Sequence, residues 1–210
     1  MIFDSDGVLV DSVPLIRRAM VSVLASYGLR LSLDEVVRHL SGLQNNDIRI
    51  VVASRWGVSL PDEFLEDVET AERAEVEKGL LPVKGAETAV RLVVESGIST
   101  CVASNGSPEE IEHRLKLAGL FHWFEGRMFS AMAVPRPKPH PDVFLHAADT
   151  MGYPPSECVV IEDSPAGIQA GVAAGMRVLA YTGGADEGTV SVPGVESFTS
   201  LSSLPELLGL

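Results

Sequence analysis

Met1-Ile2-Phe3-Asp4-Ser5-Asp6-Gly7-Val8-Leu9-Val10-Asp11-Ser12 opens the chain, and the remaining residues are best read outward from it. A short apolar run ends in two carboxylates one residue apart, then a glycine. That pattern reads as a buried strand opening into a turn. Alternate strand residues share a face, so extended geometry would bring Asp4 and Asp6 together. Two carboxylates that close repel unless a proton or a cation lies between them. Such a pair can combine nucleophilic attack by one carboxylate with acid/base work by the other, organised by a hard cation such as Mg²⁺. A solvated acidic turn would use the same residue types, so the pair needs support from elsewhere in the chain.

Further along, strands alternate with helices. Ile98 to Ala103 reads as a strand ending in Ser104-Asn105-Gly106, Arg127 to Phe129 as a short strand, Cys158 to Ile161 as a strand ending in Glu162-Asp163-Ser164, and Arg177 to Tyr181 as another. Helical spacing covers Ala86 to Glu95, Pro108 to Ala118, Pro141 to Met151, Ala166 to Ala174 and Leu201 to Leu208. This alternation predicts an α/β fold, a Rossmann-like parallel sheet with helices on both faces. Between residues 12 and 80 only helices are predicted: Val13 to Tyr27, Ser32 to Leu40 with a Ser32–Glu35 capping box, Asn46 to Arg55, and Pro61 to Lys78. The organisation that follows is a core of residues 1–11 and 81–210 with an all-helical insertion at 12–80.

Three polar clusters, Asp4/Asp6, Ser104/Asn105 and Glu162/Asp163, fall just past the carboxyl end of a strand, where open α/β sheets bind ligands. Ser104, Asn105 and Gly106 offer a hydroxyl and backbone amides near a helix start, suited to a phosphate oxygen and also to simple helix capping. Arg136-Pro137-Lys138-Pro139-His140-Pro141-Asp142 holds Lys138 between prolines that restrict the backbone. An ammonium so placed can neutralise charge in a transition state. Glu162 and Asp163 add two carboxylates, enough with Asp4 and the Asp6 carbonyl to hold Mg²⁺, which keeps several waters. The five histidines form no cluster.

Composition bounds the partners. The 210 residues carry a net charge of −13, which argues against nucleic acid or an anionic membrane. An anionic substrate would need a local cation cluster or a metal. Cys101 and Cys158 lie in apolar runs and read as buried core residues rather than a disulfide. No signal peptide or membrane-spanning run is read, so the expectation is a cytoplasmic protein; a monomer is expected.

Together these stretches resemble the haloacid dehalogenase-like hydrolases, in their phosphatase and phosphomutase branch. Four motifs match in order: Asp-x-Asp-Gly-Val-Leu-Val-Asp-Ser, the Ser104 segment, Lys-Pro-x-Pro-Asp-x-Phe, and Glu-Asp-Ser-x-x-Gly. The resemblance implies a small phosphorylated molecule as substrate, with Asp4 attacking phosphorus, Asp6 acting as acid and base, and Ser104 and Lys138 holding the phosphoryl charge. It also implies Mg²⁺ on Asp4, Asp6 and Asp163, with Glu162 secondary or water-mediated, and Asp142 capping the next helix. Residues 12–80 would be the cap that closes over the site, with Asn45 and Arg73 among its substrate contacts.

Asp6 in the acid/base position speaks against a dehalogenase or phosphonatase. The stretch Ser41-Gly42-Leu43-Gln44-Asn45-Asn46-Asp47 lacks the Lys-Gly and following Arg of β-phosphoglucomutases, which favours hydrolysis over a mutase. A non-catalytic binding protein would not need all four sets of side chains. Several stretches are similar to a bacterial branch that includes 6-phosphogluconate phosphatase. Only three residues precede Asp4, fewer than the family's usual strand, which is consistent with a trimmed chain or a misplaced start; the site is still expected to form.

Overall fold

The computed structural model describes residues 1–40, 43, 45–183 and 193–210, with Asn45 and Asn46 described by backbone alone. It divides into two compact units, Met1–Asp11 with Leu81–Leu210, and Ser12–Leu80.

The first unit is built on six parallel strands: β1 (Ile2–Phe3), β2 (Cys101–Ser104), β3 (Met128–Ser130), β4 (Val159–Glu162), β5 (Arg177–Tyr181) and β6 (Glu196–Phe198), in the order β3-β2-β1-β4-β5-β6. The α/β class expected from the alternation is therefore the class observed. The order reverses at β1, with β2 on one side and β4 on the other. In open α/β sheets ligands bind at such a switch point, outside the carboxyl ends of the strands.

β1 is only two residues long, yet it is paired on both sides: Ile2 with Cys101 and Val160, Phe3 with Val102 and Ile161. Asp4 extends the ladder through its N–H to the Ile161 carbonyl at 2.9 Å. The same register explains why β2 starts at Cys101 rather than at Ile98. Opposite Ile2 the ladder begins, and Ile98–Thr100 lie upstream of any β1 partner. β6 went unread because its burial is weak, with only Phe198 inside. Its pairing is with β5 alone, at the edge of the sheet.

Helices α5 (Ala86–Glu95), α6 (Pro108–Leu117), α7 (Asp142–Met151), α8 (Pro165–Ala173) and α9 (Leu204–Leu208) complete this unit. Its apolar core joins Val143, Phe144 and Ala147 of α7 and Ile168 of α8 to sheet residues such as Ala103 and Val160. Both cysteines are buried and unbridged, and burial pushes the Cys101 thiol up to about 12, which makes it inert as a nucleophile.

The second unit holds α1 (Val13–Ser26), α2 (Leu33–Leu40), α3 (Asn45–Trp56) and α4 (Phe64–Gly79). Leu24, Val52 and Phe64 are central to a separate apolar core. The Ser32–Glu35 box is present at the start of α2, with Ser32 N–H donating to Glu35 at 2.8 Å. α4 begins three residues later than its spacing predicted, at Phe64, because Pro61–Glu63 form a turn that delivers that fully buried ring. Among the described residues, no helix is long and apolar enough to cross a membrane.

Candidate active site

The first loop is closed by its own backbone. Gly7 adopts φ +82°, a conformation costly for a side chain-bearing residue, and its N–H donates to the Val10 carbonyl at 2.8 Å. Leu9 and Val10 N–H both donate to the Ser5 carbonyl, at 2.9 and 3.0 Å. Asp4 and Asp6 are thus joined by a turn rather than along an extended strand, since β1 ends at Phe3, and the Asp6 charge still acts on Asp4. The Asp6 carboxylate is partly exposed and accepts a hydrogen bond from Arg114 Nη1 at 2.6 Å.

Lys138 is the hub. Its ammonium is buried and donates to Asp4 Oδ1 (2.5 Å), Glu162 Oε1 (2.7 Å) and the Ala103 carbonyl (2.9 Å). That uses all three donors of an ammonium. The nitrogen also stands 4.8 Å from the Phe144 ring centre. Burial alone would lower the lysine's pKa, but the Asp4 and Glu162 carboxylates outweigh it and hold it above the usual value. Asp4 is raised as well. Burial pushes it up to about 7, with Lys138 pulling it down and the charges of Glu162 and Asp6 adding to the rise.

The predicted phosphate contacts have partners of their own. Ser104, at the end of β2, is buried and its Oγ accepts from Gly106 N–H at 3.2 Å. Neither Ser104 nor Asn105 caps the next helix. Ser107 does, in a capping box with Glu110. Asn105 turns instead to the Lys138 backbone, its Oδ1 accepting from Lys138 N–H at 3.0 Å and its Nδ2 facing the Lys138 carbonyl at 3.5 Å. The expected capping role of Asp142 also needs correction. Pro141 occupies the cap position, and the Asp142 carboxylate takes Arg136 at 2.8 and 3.1 Å. The first-turn carboxylate thereby closes the lysine loop, whose Lys138–Pro139 bond is cis.

At the end of β4, Glu162 commits Oε2 to Asp163 N–H, Ser164 N–H and Ser164 Oγ, at 3.0, 3.0 and 2.9 Å. With Oε1 on Lys138, its remaining capacity as a metal ligand is small. Its carboxylate packs against α8 at Gly167, where a Cβ would lie 1.7 Å from Oε1; no residue but glycine fits. Asp4, Glu162 and Asp163 bring oxygens within 4.8 Å of one another. Withdrawal from water, reinforced by the charges of Asp4 and Glu162, raises Asp163 well above the usual carboxylate range.

These three carboxylates face one ammonium, an excess of two negative charges if all are ionised. Two carboxyls with raised pKa values, an all-oxygen donor set and that excess fit a hard divalent cation.

A family model for haloacid dehalogenase-like hydrolases matches residues 1–175. The chain belongs to this family. It is 33% identical over 206 residues to the 6-phosphogluconate phosphatase of Escherichia coli, covering 98% of this chain and 92% of that protein. It is 35% identical over 189 residues to hexitol phosphatase A of the same organism, covering 88% and 83%. A haloacid dehalogenase family hydrolase from Deinococcus radiodurans, solved with bound phosphate and sodium, is 31% identical with a TM-score of 0.83, covering 99% of this chain and 93% of that one.

In this haloacid dehalogenase-like chain, Asp4, Asp6, Ser104, Lys138, Glu162 and Asp163 all belong to the first unit: Asp4, Ser104, Glu162 and Asp163 stand at the strand ends flanking the switch point, Asp6 on the loop after β1, and Lys138 on the loop before α7. Arg73 is exposed on α4 of the second unit, and the Asn45 side chain lies outside the described residues, as do Ser41, Gly42 and Gln44. Reading the sequence did not find Arg114. A basic residue in the last turn of a helix is what the helix dipole favours, so nothing local set it apart.

Proposed function

We propose that this chain is a Mg²⁺-dependent phosphatase of small phosphorylated metabolites, sugar phosphates or phosphosugar acids, working through an aspartyl-phosphate on Asp4. The enzyme class, phosphoric monoester hydrolase, is that of the family branch and of its phosphatase relatives. The observation that carries the mechanism is the Asp4 carboxylate held 2.5 Å from a buried ammonium, at a switch point also lined by Ser104 and Asp163. In this reading residues 1–11 and 81–210 are the catalytic core and 12–80 the cap, with Arg73 and Asn45 as its substrate-selecting residues.

The residues that would hold Mg²⁺ are Asp4, the Asp6 carbonyl and Asp163, with Glu162 in a secondary place. When bound, the ion supplies a fixed positive charge beside the phosphoryl oxygens. Asp4 attacks phosphorus in line and the bond to the sugar oxygen breaks. Asp6 gives that oxygen a proton. Lys138 and the Ser104 hydroxyl stabilise charge on the transferring group. Water then attacks phosphorus, Asp6 takes its proton, and Asp4 is released as a carboxylate.

Acid-quenched single turnovers with ³²P-labelled substrate test the nucleophile. Label is expected on the peptide bearing Asp4, and Asp4→Asn should carry no label and turn over no substrate while keeping its fold by circular dichroism. Label on another residue, or retained turnover, would remove Asp4 from this role.

A further inference from the structure

The proton carrier of the proposed mechanism sits on a loop, and a carboxylate there has two side-chain torsions to fix. The structure fixes them from a distant element. Arg114 Nη1 donates to Asp6 Oδ1 at 2.6 Å, across 108 residues of sequence. The two side chains are 12% and 25% exposed, so the pair is largely withdrawn from water, unlike the ordinary surface pair that contributes little.

The helix that carries the guanidinium, α6, is anchored in its first turn and along its buried face. Its first turn is closed by the reciprocal Ser107–Glu110 box, at 3.2 and 3.0 Å. Ile111 and Leu115, three residues before Arg114 and one after, are buried. Arg114 therefore reaches Asp6 from a rigid support, while its planar fork makes a directional contact rather than a diffuse one.

We propose that Arg114 is a positioning residue for proton delivery: its grip on Asp6 Oδ1 fixes the plane of that carboxyl, so that the Asp6 proton is aimed at the oxygen leaving phosphorus. The inference rests on the assignment of Asp6 as proton carrier. In the step concerned, the bond from Asp4 oxygen to phosphorus forms and the bond from phosphorus to the sugar oxygen breaks. The electron pair stays on the sugar oxygen, and the Asp6 proton passes to it.

The test uses the leaving group. A sugar alkoxide needs the proton, whereas the phenol of p-nitrophenyl phosphate is acidic enough to leave without it. Values of kcat/KM are compared for p-nitrophenyl phosphate and for whichever of 6-phosphogluconate, sorbitol 6-phosphate and fructose 1-phosphate is cleaved fastest. General acid catalysis contributes about 10²–10⁴-fold. Arg114→Gln is accordingly expected to lose about tenfold or more on the sugar phosphate and less than about threefold on the aryl phosphate. Arg114→Lys, which keeps a donor and the helix charge, should recover part of the loss and serves if the glutamine variant folds poorly.

Equal losses on both substrates, no loss, or a gain would overturn the proposal. Asp6→Asn, measured alongside, separates this failure from that of the mechanism. Sugar phosphate turnover surviving in Asp6→Asn would sink the assignment of Asp6 itself. Its loss, with no discrimination in the Arg114 variants, would sink only the role of Arg114.

Discussion

Lys138 shows how one residue is asked to serve both stability and chemistry. Its ammonium faces Asp4 and Glu162, with Asp163 close behind. Breaking a buried ion pair on one side leaves uncompensated charge and costs about 3–5 kcal/mol. Lys138→Met should thus lose roughly that much in urea unfolding with chelator present, and its phosphatase rate should fall steeply. A variant as stable as the wild type would mean that the carboxylates accommodate one another without the lysine.

The flanking prolines made Lys138 legible in the sequence, but its partners were not. Glu162 was read as a ligand of the cation, and the structure gives it the lysine and the Ser164 turn as well. The sequence offers Asn105 as a phosphate contact, and the structure adds that its side chain holds the Lys138 backbone. Neither lysine contact could be assigned locally, because the Glu162–Lys138 and Asn105–Lys138 bonds join segments more than twenty residues apart.

At the scale of elements, the close approach of α8 to β4 and β5 fixes the geometry of the site. Gly167 leaves room for the Glu162 carboxylate, and Gly171 for Val178, whose Cγ2 would lie 2.7 Å from a Cβ there. Overpacking of this kind typically costs about 1–3 kcal/mol. Gly167→Ala is expected to lose that much stability, and also activity, because displacing Glu162 releases Lys138. Gly79→Ala, with nothing within 4 Å of the added Cβ, should be near neutral in the same assays. If the two variants behaved alike, the Glu162–Gly167 contact would not be what holds the lysine.

Elements were legible in kind and less so in extent. Helix periodicity and glycine stops located α1, α2, α5 and α8 to within a residue or so. Strand limits depended on pairing: β2 begins where β1 offers a partner, and β6 exists because β5 has an open edge. A single strand's composition does not contain its neighbour.

For the whole molecule, the informative regularity was that three polar clusters, at Asp4, Ser104 and Glu162–Asp163, each followed a strand. With the order β3-β2-β1-β4-β5-β6, that regularity becomes a place: Asp4 after β1, Ser104 at the end of β2 and Glu162–Asp163 at β4 flank one switch point. The strand order itself was not legible, since alternation predicts parallel strands without saying which are adjacent. Nor does the net charge of −13 favour an anionic substrate, and long-range steering would oppose it. The account therefore depends on local compensation by Lys138 and a divalent cation. Phosphate release from a panel of sugar phosphates and phosphosugar acids, with Mg²⁺ and with excess chelator, tests that dependence most directly. The account predicts release that chelator abolishes and Mg²⁺ restores, strongest on one compound. Release indifferent to chelator, or isomerisation of a sugar phosphate without release, would contradict it.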